Sequence, residues 1–261
     1  AYKVNDGDDY SSSASTMTID VTAVNDTPVI TQLSNPSAVL EDAGEQTINL
    51  SGIGDGDADA TQTITAVTAT SNNTSLIPNP TVAYTSDNST GSLTYTPVSN
   101  ANGTAVITVT VSDNGGTDNS GVNSTTMTFT VTVTAVNDAP TVSSAPAVTT
   151  NEDVEYAFAT SNFNFTDVDA GDALDHIEVT SLEDAGTLYL DADNDDAYDS
   201  GEDITANQDI TFANITSGHL RFAPAANANG DPYTTFAYKV NDGDDYSSSA
   251  STMTIDVTAV N

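Results

Sequence analysis

The stretch TTMTFTVTVTAV, Thr125–Val136, decides the fold. Polar Thr128, Thr130, Thr132 and Thr134 alternate with apolar Phe129, Val131 and Val133. A period of two marks a strand with one face in a core and the other in water, so the threonine face points to solvent. Runs of the same kind lie outward from it at Ala105–Val111, Leu93–Thr96 and Ile64–Ala69 on one side. On the other side they lie at Thr187–Leu190, Leu220–Ala223, Phe236–Val240 and Thr252–Val260. No segment offers a convincing helical period. Short strands parted by Gly, Asn, Asp and Pro turns every roughly 8–12 residues predict β-sandwiches of about seven strands.

The segment AYKVNDGDDYSSSASTMTIDVTAVN at Ala1–Asn25 reappears unchanged at Ala237–Asn261, so the chain is a window on a repeating array. A weaker echo divides the period: TAVND at Thr22–Asp26 recurs at Thr134–Asp138 and begins again at Thr258. Each unit of such an array is one folding domain. Val24-Asn25-Asp26-Thr27-Pro28 and Val136-Asn137-Asp138-Ala139-Pro140 mark the boundaries, because Pro forces the preceding backbone into an extended exit. Residues 26–138 and 139–261 are then expected to be complete domains. Residues 1–25 carry the last two strands of a preceding unit, and their unpaired edges should seek another chain or stay loose.

Thirty-eight acidic residues oppose three basic ones, a formal charge of −35. Such a field opposes compaction by self-repulsion, and divalent cations are the obvious neutralisers. The alternative, a merely soluble or halophilic surface, would scatter its acids and use more Glu; here Asp dominates and clusters. Nucleic acid is a poor partner, because the Lys and Arg contacts that dominate its binding are nearly absent. Cysteine is absent, which excludes disulfides and thiolate metal sites. No run approaches the roughly 18 apolar residues of a membrane-spanning helix, so membrane insertion is not expected.

One site follows from spacing alone. Asp191, Asp193, Asp195, Asp199 and Glu202 stand at places one, three, five, nine and twelve of a calcium loop, and Ala197 at seven would offer its carbonyl. Place six, where the chain turns sharply and Gly is usual, is Asp196; Asp tolerates a left-handed backbone better than most residues. No helical pattern flanks the loop, so a calcium loop inside a β-hairpin is expected. The competing reading is a solvated acidic turn.

Four words recur in order in both units. The first unit has LEDAGEQ (Leu40–Gln46), DGDAD (Asp55–Asp59), LTYTPVSNANGTAVITVTVSDNGG (Leu93–Gly116) and VTAVNDAP (Val133–Pro140). The second has TNEDVEY (Thr150–Tyr156), FTDVDAGD (Phe165–Asp172), LRFAPAANANGDPYTTFAYKVNDGDD (Leu220–Asp245) and VTAVN (Val257–Asn261). In these words the chain resembles the cadherin-like tandem repeats of very large bacterial surface adhesins. The resemblance implies an all-β chain of tandem immunoglobulin/cadherin-like sandwiches set end to end, with Ca2+ at the junctions. Calcium is a hard cation that takes about six to eight oxygens from carboxylates, amides and backbone carbonyls.

By that resemblance the central junction takes Asn137 and Asp138 from the linker and Asp167, Asp169 and Asp242 from the second domain, with Glu41, and Asp42 beside it, at the far end of the first. The preceding junction takes Asn25, Asp26, Asp57, Asp59 and Asp113, and Glu152 serves the following one. The alternative for these acids is ordinary turn chemistry, in which Asp caps its own loop. The sequence departs from the cadherin pattern at Asn100–Gly103 and Asn227–Gly230, where Asn-Ala-Asn-Gly replaces an acidic loop; one or two ions per junction are expected.

The function implied is a structural spacer: an extracellular adhesin or fibre segment, not an enzyme, stiffened by calcium. Its partners would be calcium, neighbouring repeats and, through the identical ends, a second molecule joined head to tail. The runner-up is a carbohydrate- or partner-binding module, but there is no Trp to stack on a sugar and no aromatic cluster stands out. His176 and His219, the two histidines, lie beside strand-like runs and are expected to be strand or surface residues. Lys239, alternating with Phe236, Tyr238 and Val240, is expected to face solvent and not to form an isopeptide crosslink. The sequons at Asn88 and Asn214 are expected by chance in a chain rich in Ser, Thr and Asn.

Overall fold

The computed structural model describes residues 1–56 and 62–261, so Asp57 and Asp59 lie outside the described residues. The chain divides into two compact units, Ala1–Ala135 and Val136–Asn261. Each is all-β, as the alternation predicts.

In the first unit the strands are β1 (Val39–Leu40), β2 (Gln46–Ser51), β3 (Ile64–Ser71), β4 (Thr81–Ala83), β5 (Thr90–Tyr95), β6 (Gly103–Asp113) and β7 (Ser124–Thr134). One sheet runs β1-β7-β6-β3 and the other β2-β5-β4. Phe129, Val131 and Val133 of β7 are buried while the threonines between them are not, which is the expected orientation. They share one core with Ile107, Val109 and Val111 of β6 and with Leu50, Leu93 and Tyr95 of the second sheet, so the two sheets form a sandwich. β1 lies parallel to β7, Val39 opposite Val133.

The second unit contains β8 (Thr141–Val142), β9 (Ala147–Asn151), β10 (Tyr156–Ala157), β11 (Phe165–Thr166), β12 (His176–Ser181), β13 (Thr187–Leu190), β14 (Gln208–Thr211), β15 (Leu220–Ala223), β16 (Gly230–Asn241) and β17 (Ser251–Thr258). A five-stranded sheet, β14-β12-β16-β17-β9, faces a three-stranded one, β10-β15-β13. Again a strand near the start, β9, the second of the unit, lies parallel to the last, β17. The core is more aromatic: Phe158, Phe163, Phe236 and Tyr238 pack ring on ring at 5.1–6.1 Å, geometries worth about 0.5–1.5 kcal/mol per pair beyond burial. One turn of helix, α1 (Phe212–Thr216), is capped by the Thr211 side chain, which accepts from the Asn214 N–H. Among the described residues no helix is long and apolar enough to cross a membrane.

Residues 1–24 belong to the first unit but contribute nothing to its core. Tyr2, Val4, Met17, Ile19 and Val21 are 49–90% exposed, whereas their counterparts Tyr238, Val240, Met253, Ile255 and Val257 are 0–4% exposed.

Candidate metal centre

In the first unit the strand β6 ends on Asp113, which is 5% exposed. Its Oδ1 accepts from the Gly115 N–H at 2.9 Å and from Asn25 Nδ2 at 3.1 Å. The same Nδ2 donates to the carbonyls of Gly116 (3.0 Å) and Val122 (2.8 Å), so three acceptors fix which side of the buried amide is nitrogen. Asn25 Oδ1 must then point the other way. Among the described residues neither that oxygen nor Asp113 Oδ2 meets a hydrogen-bond donor, though both are buried. Leaving a buried acceptor unmatched costs about 1–3 kcal/mol, and carboxylate and amide oxygens are among those a hard cation takes. Gly115 is required here: a Cβ on it would lie 2.0 Å from Gln62 Oε1 and 2.1 Å from Asn25 Oδ1. Asp26, the neighbour of Asn25, is exposed.

The second unit repeats the clasp at matched positions. Asn137 Nδ2 donates to Asp242 Oδ2 at 3.2 Å and to Asp245 Oδ2 at 3.3 Å. Asp242 stands in VNDGDD where Asp113 stands in VSDNGG. The Asp138 N–H donates to Asp169 Oδ2 (2.7 Å), and the Asp169 N–H to Asp167 Oδ1 (2.9 Å). Carboxylate oxygens of Asp167, Asp172 and Asp242 fall within 4.8 Å of one another, and Asp167 Oδ2 is buried without a donor. The linker asparagine, the FTDVDAGD loop and the VNDGDD loop therefore meet at one end of this unit. Desolvation, then the charges of Asp169, Asp167, Asp242 and Asp244, push the Asp172 carboxyl above its ordinary range. Asp242 goes down: desolvation raises it, but the N–H groups of Asp245 and Asp244 and the Asn137 amide outweigh that. Sequence reasoning missed Asp172 and Asp245, although both close the words that carried Asp167, Asp169 and Asp242.

The loop between Asp191 and Glu202 is held inside a β-hairpin, as its spacing implies. The Leu190 N–H bonds Glu202 O, the Ile204 N–H bonds Leu188 O, and Tyr189 bridges to Asp203. Asp191 is 1% exposed; its oxygens accept from the N–H groups of Asn194 (2.7 Å) and Asp196 (3.1 Å). Asp196 adopts φ +65°, the left-handed turn usually given to Gly. Oxygens of Asp191, Asp193 and Glu202 lie within 4.8 Å of one another, as do those of Asp193, Asp195 and Asp199. Desolvation and the charges of Asp195, Glu202 and Asp199 raise the Asp193 pKa. Sequence reasoning overlooked what lies against this loop: Arg221, the one arginine of the chain. Its Nε lies 3.5 Å from Asp191 Oδ2, its Nη1 3.7 Å from Glu155 Oε2, and its Nη2 bonds the Asp196 carboxylate. A fixed cation already offsets the most buried acid of the loop; the remaining acids face outward.

Among solved structures the chain is similar to cadherin ectodomains. A protocadherin gammaB7 EC3-6 structure matches at 15% identity and TM-score 0.48, over 89% of this chain and 49% of that one. The human desmocollin-1 ectodomain matches at 13% and 0.45 (89% and 41%), and mouse cadherin-23 EC22-24 at 14% and 0.43 (90% and 65%). The chain thus spans about half the length of the first two or less. No protein-family model matches the chain, and no curated protein does either.

Two acids mark the opposite end of each unit. The Glu41 N–H bonds Thr134 O at the end of β7, and the Glu152 N–H bonds Thr258 O at the end of β17. Glu152 also accepts from the Val260 N–H (2.8 Å) and from Asn229 Nδ2 (3.2 Å), so it ties the outgoing chain to the Asn-Ala-Asn-Gly turn. His176 sits on β12 between Asp175 and Tyr246, 2.8 Å from each. The Tyr246 phenol is pushed up to about 12 by desolvation and by its bond to Asp209, the opposite direction from an activated nucleophile. Lys239 is half-buried opposite Glu178 on the neighbouring strand.

Proposed function

We propose that the chain is a segment of an extracellular adhesin or fibre of bacterial type, in which calcium bound where each linker meets its unit stiffens a succession of sandwich domains. Residues 26–138 and 139–261 are complete units of that array, and residues 1–25 the end of a preceding one. The observation that carries the reading is the clasp of Asn25 on Asp113, with two buried oxygens lacking donors, together with the contact of Asn137 on Asp242 beside the Asp167–Asp172 carboxylates, where Asp167 Oδ2 is buried without a donor. Ordinary turn chemistry accounts for carboxylates that accept N–H groups; it gives no reason to bury donorless oxygens among them. Without the ion these carboxylates repel one another and the linker loosens. With it, the attraction stabilises the unit and fixes the linker together, because binding free energy of a site made by folding is folding free energy. The Asp191–Glu202 loop is an additional calcium site inside the second unit, its outer ligands Asp193, Asp195, Asp199 and Glu202.

Thermal unfolding and small-angle scattering, in millimolar calcium and then in chelator, test the reading. A ligand at about 100 times its Kd adds about 2.7 kcal/mol per site, so a rise of several degrees in each transition and a stiffer particle are expected. Identical melting and scattering in both buffers would remove calcium from the function and leave the acids as a solubility device.

A further inference from the structure

The two units differ at one place in their last strand pair. In the first, β6 and β7 pair there without a break: Gly103 stands opposite Val133, Thr104 opposite Thr132 and Ala105 opposite Val131. In the second, Gly230 stands opposite Val257 and Thr234 opposite Ile255, with a register shift between them. Asp231, Pro232 and Tyr233 of β16 are thus set against Asp256 of β17 alone, a bulge of the kind that re-aims side chains. Where the first unit has a threonine on each strand, the second has an aspartate on each.

Like charges facing each other across a ladder destabilise it. Yet the Asp231 and Asp256 carboxyls lie within hydrogen-bonding reach of each other. Ile255 and Val257 are in the core, so Asp256 between them lies on the outer face of the sheet. Even so, its Oδ1 is closed off from water and meets no hydrogen-bond donor among the described residues. An ionised carboxylate only accepts, so a bond between two such groups exists only when one of them carries a proton. Besides the bulge, the residue set against Asp256 is Thr149 of β9. Tyr233, the other titratable group of the bulge, turns its hydroxyl to the Ala225 N–H at 3.2 Å. Asp231 is therefore the charge that Asp256 faces.

We propose that Asp231 and Asp256 share one proton and so form an acid-operated latch at the outgoing end of the second unit. Desolvation, then the charge and the hydrogen bond of Asp231, hold the Asp256 carboxyl above its ordinary range, as two carboxyls in one place require. The bulge continues from the Asn-Ala-Asn-Gly turn at Asn227–Gly230. There the Asn227 N–H donates to Asp153 Oδ1 (2.8 Å) and Asn229 Nδ2 to Glu152 Oε2 (3.2 Å), while Glu152 Oε1 accepts from the Val260 N–H (2.8 Å). With the proton in place, the bond closes the bulge and steadies the turn that holds the outgoing chain. With both carboxyls ionised, repulsion opens the bulge and loosens that turn. The pair lies at the opposite end of the unit from the Asn137 clasp and works whether or not calcium is bound there.

Carbon-detected NMR of the full chain in chelator, read at each side-chain carboxyl as the pH is lowered, tests the proposal. Asp256 should take up its proton above the ordinary carboxylate range, each pH unit being tenfold in proton affinity. Asp231→Asn, whose amide supplies a donor, should bring that midpoint down. Asp256→Asn keeps the bond at every pH. Amide exchange at Asn227–Gly230, corrected for its intrinsic rate, should therefore quicken with rising pH in wild type and stay level in Asp256→Asn. The second unit of this variant should also melt above wild type at pH 7. The difference should close as the pH falls, because a raised carboxyl is a penalty present above its folded value and absent below its unfolded one near 3.8. An Asp256 midpoint in the ordinary range, or one that Asp231→Asn leaves in place, would overturn the latch. So would the same pH dependence of exchange in wild type and Asp256→Asn. A midpoint that calcium pushes down into the ordinary range would put a cation in the proton's place and overturn it as well.

Discussion

Asn25→Ala is the sharpest test of the clasp. The wild-type amide is 9% exposed and its nitrogen serves three acceptors, at 3.1, 3.0 and 2.8 Å. Asp113 Oδ1 keeps the Gly115 N–H when that nitrogen is removed, but the Gly116 and Val122 carbonyls lose their side-chain donor. At about 1–3 kcal/mol per stranded buried acceptor, discounted for partial access of water, the loss is about 2–4 kcal/mol. For a domain of this size that is a fall of roughly 8–20 °C in the first unit's melting temperature. Calorimetry in chelator reads the fall, and hydrogen exchange of β6 and β7 assigns it to this unit through roughly 30- to 900-fold faster exchange from the global opening. Asn25→Asp separates structure from ion binding. It also loses the donors and adds a charge beside Asp113, so it melts at least as low as Asn25→Ala in chelator. Calcium should then raise it by more than it raises wild type, whereas Asn25→Ala should gain less. A melting temperature within about 2 °C of wild type for Asn25→Ala, or equal calcium gains for the two variants, would refute the clasp as a cation-holding element.

Other outcomes follow from the same physics. Asp193→Asn with Asp195→Asn removes exposed ligands of the hairpin loop, so calcium stoichiometry by titration calorimetry should fall while the chelator melting temperature holds or rises. Arg221→Met leaves the buried Asp191 carboxylate without its ion pair and should cost the second unit about 3–5 kcal/mol by denaturant unfolding in chelator. The raised pKa of Asp172 is a penalty fully present above its folded value and absent below its unfolded one near 3.8. In chelator Asp172→Asn should therefore raise the second unit's melting temperature at pH 7, and the gain should vanish as the pH falls toward 4. Ile255→Ala should cost about 2–5 kcal/mol by equilibrium unfolding and Ile19→Ala close to nothing, because the same residue is 0% exposed in one place and 78% in the other.

The pair Ile19 and Ile255 also shows what local sequence can and cannot carry. Alternation along Thr125–Thr134 foretells which face of β7 is buried, and the same alternation in STMTIDVT foretells a buried face twice, although only the second copy has a sheet beside it. Periodicity states a demand for a partner; the partner's presence is a matter of distant chain. The parallel pairing of β1 with β7 and of β9 with β17 was illegible for the same reason, since it joins the ends of each unit. So was α1, a single turn too short to show a period.

Ligand sets divide along the same line. The Asp191–Glu202 loop is contiguous, so its spacing was readable down to the left-handed backbone of Asp196, yet Arg221, 25 residues further along and on another strand, was not. The clasps join residues 88 and 105 apart in sequence and were named in advance only through the resemblance to cadherin-like repeats, the recurrence of each word weighing against ordinary turn chemistry. What repetition cannot supply is the state of each oxygen. Asn25 Oδ1 and Asp113 Oδ2 are donorless because three acceptors turn the Asn25 amide and Gly115 leaves room for it. That is a property of packing, set by residues far apart in the chain, and no run of acidic turn residues announces it.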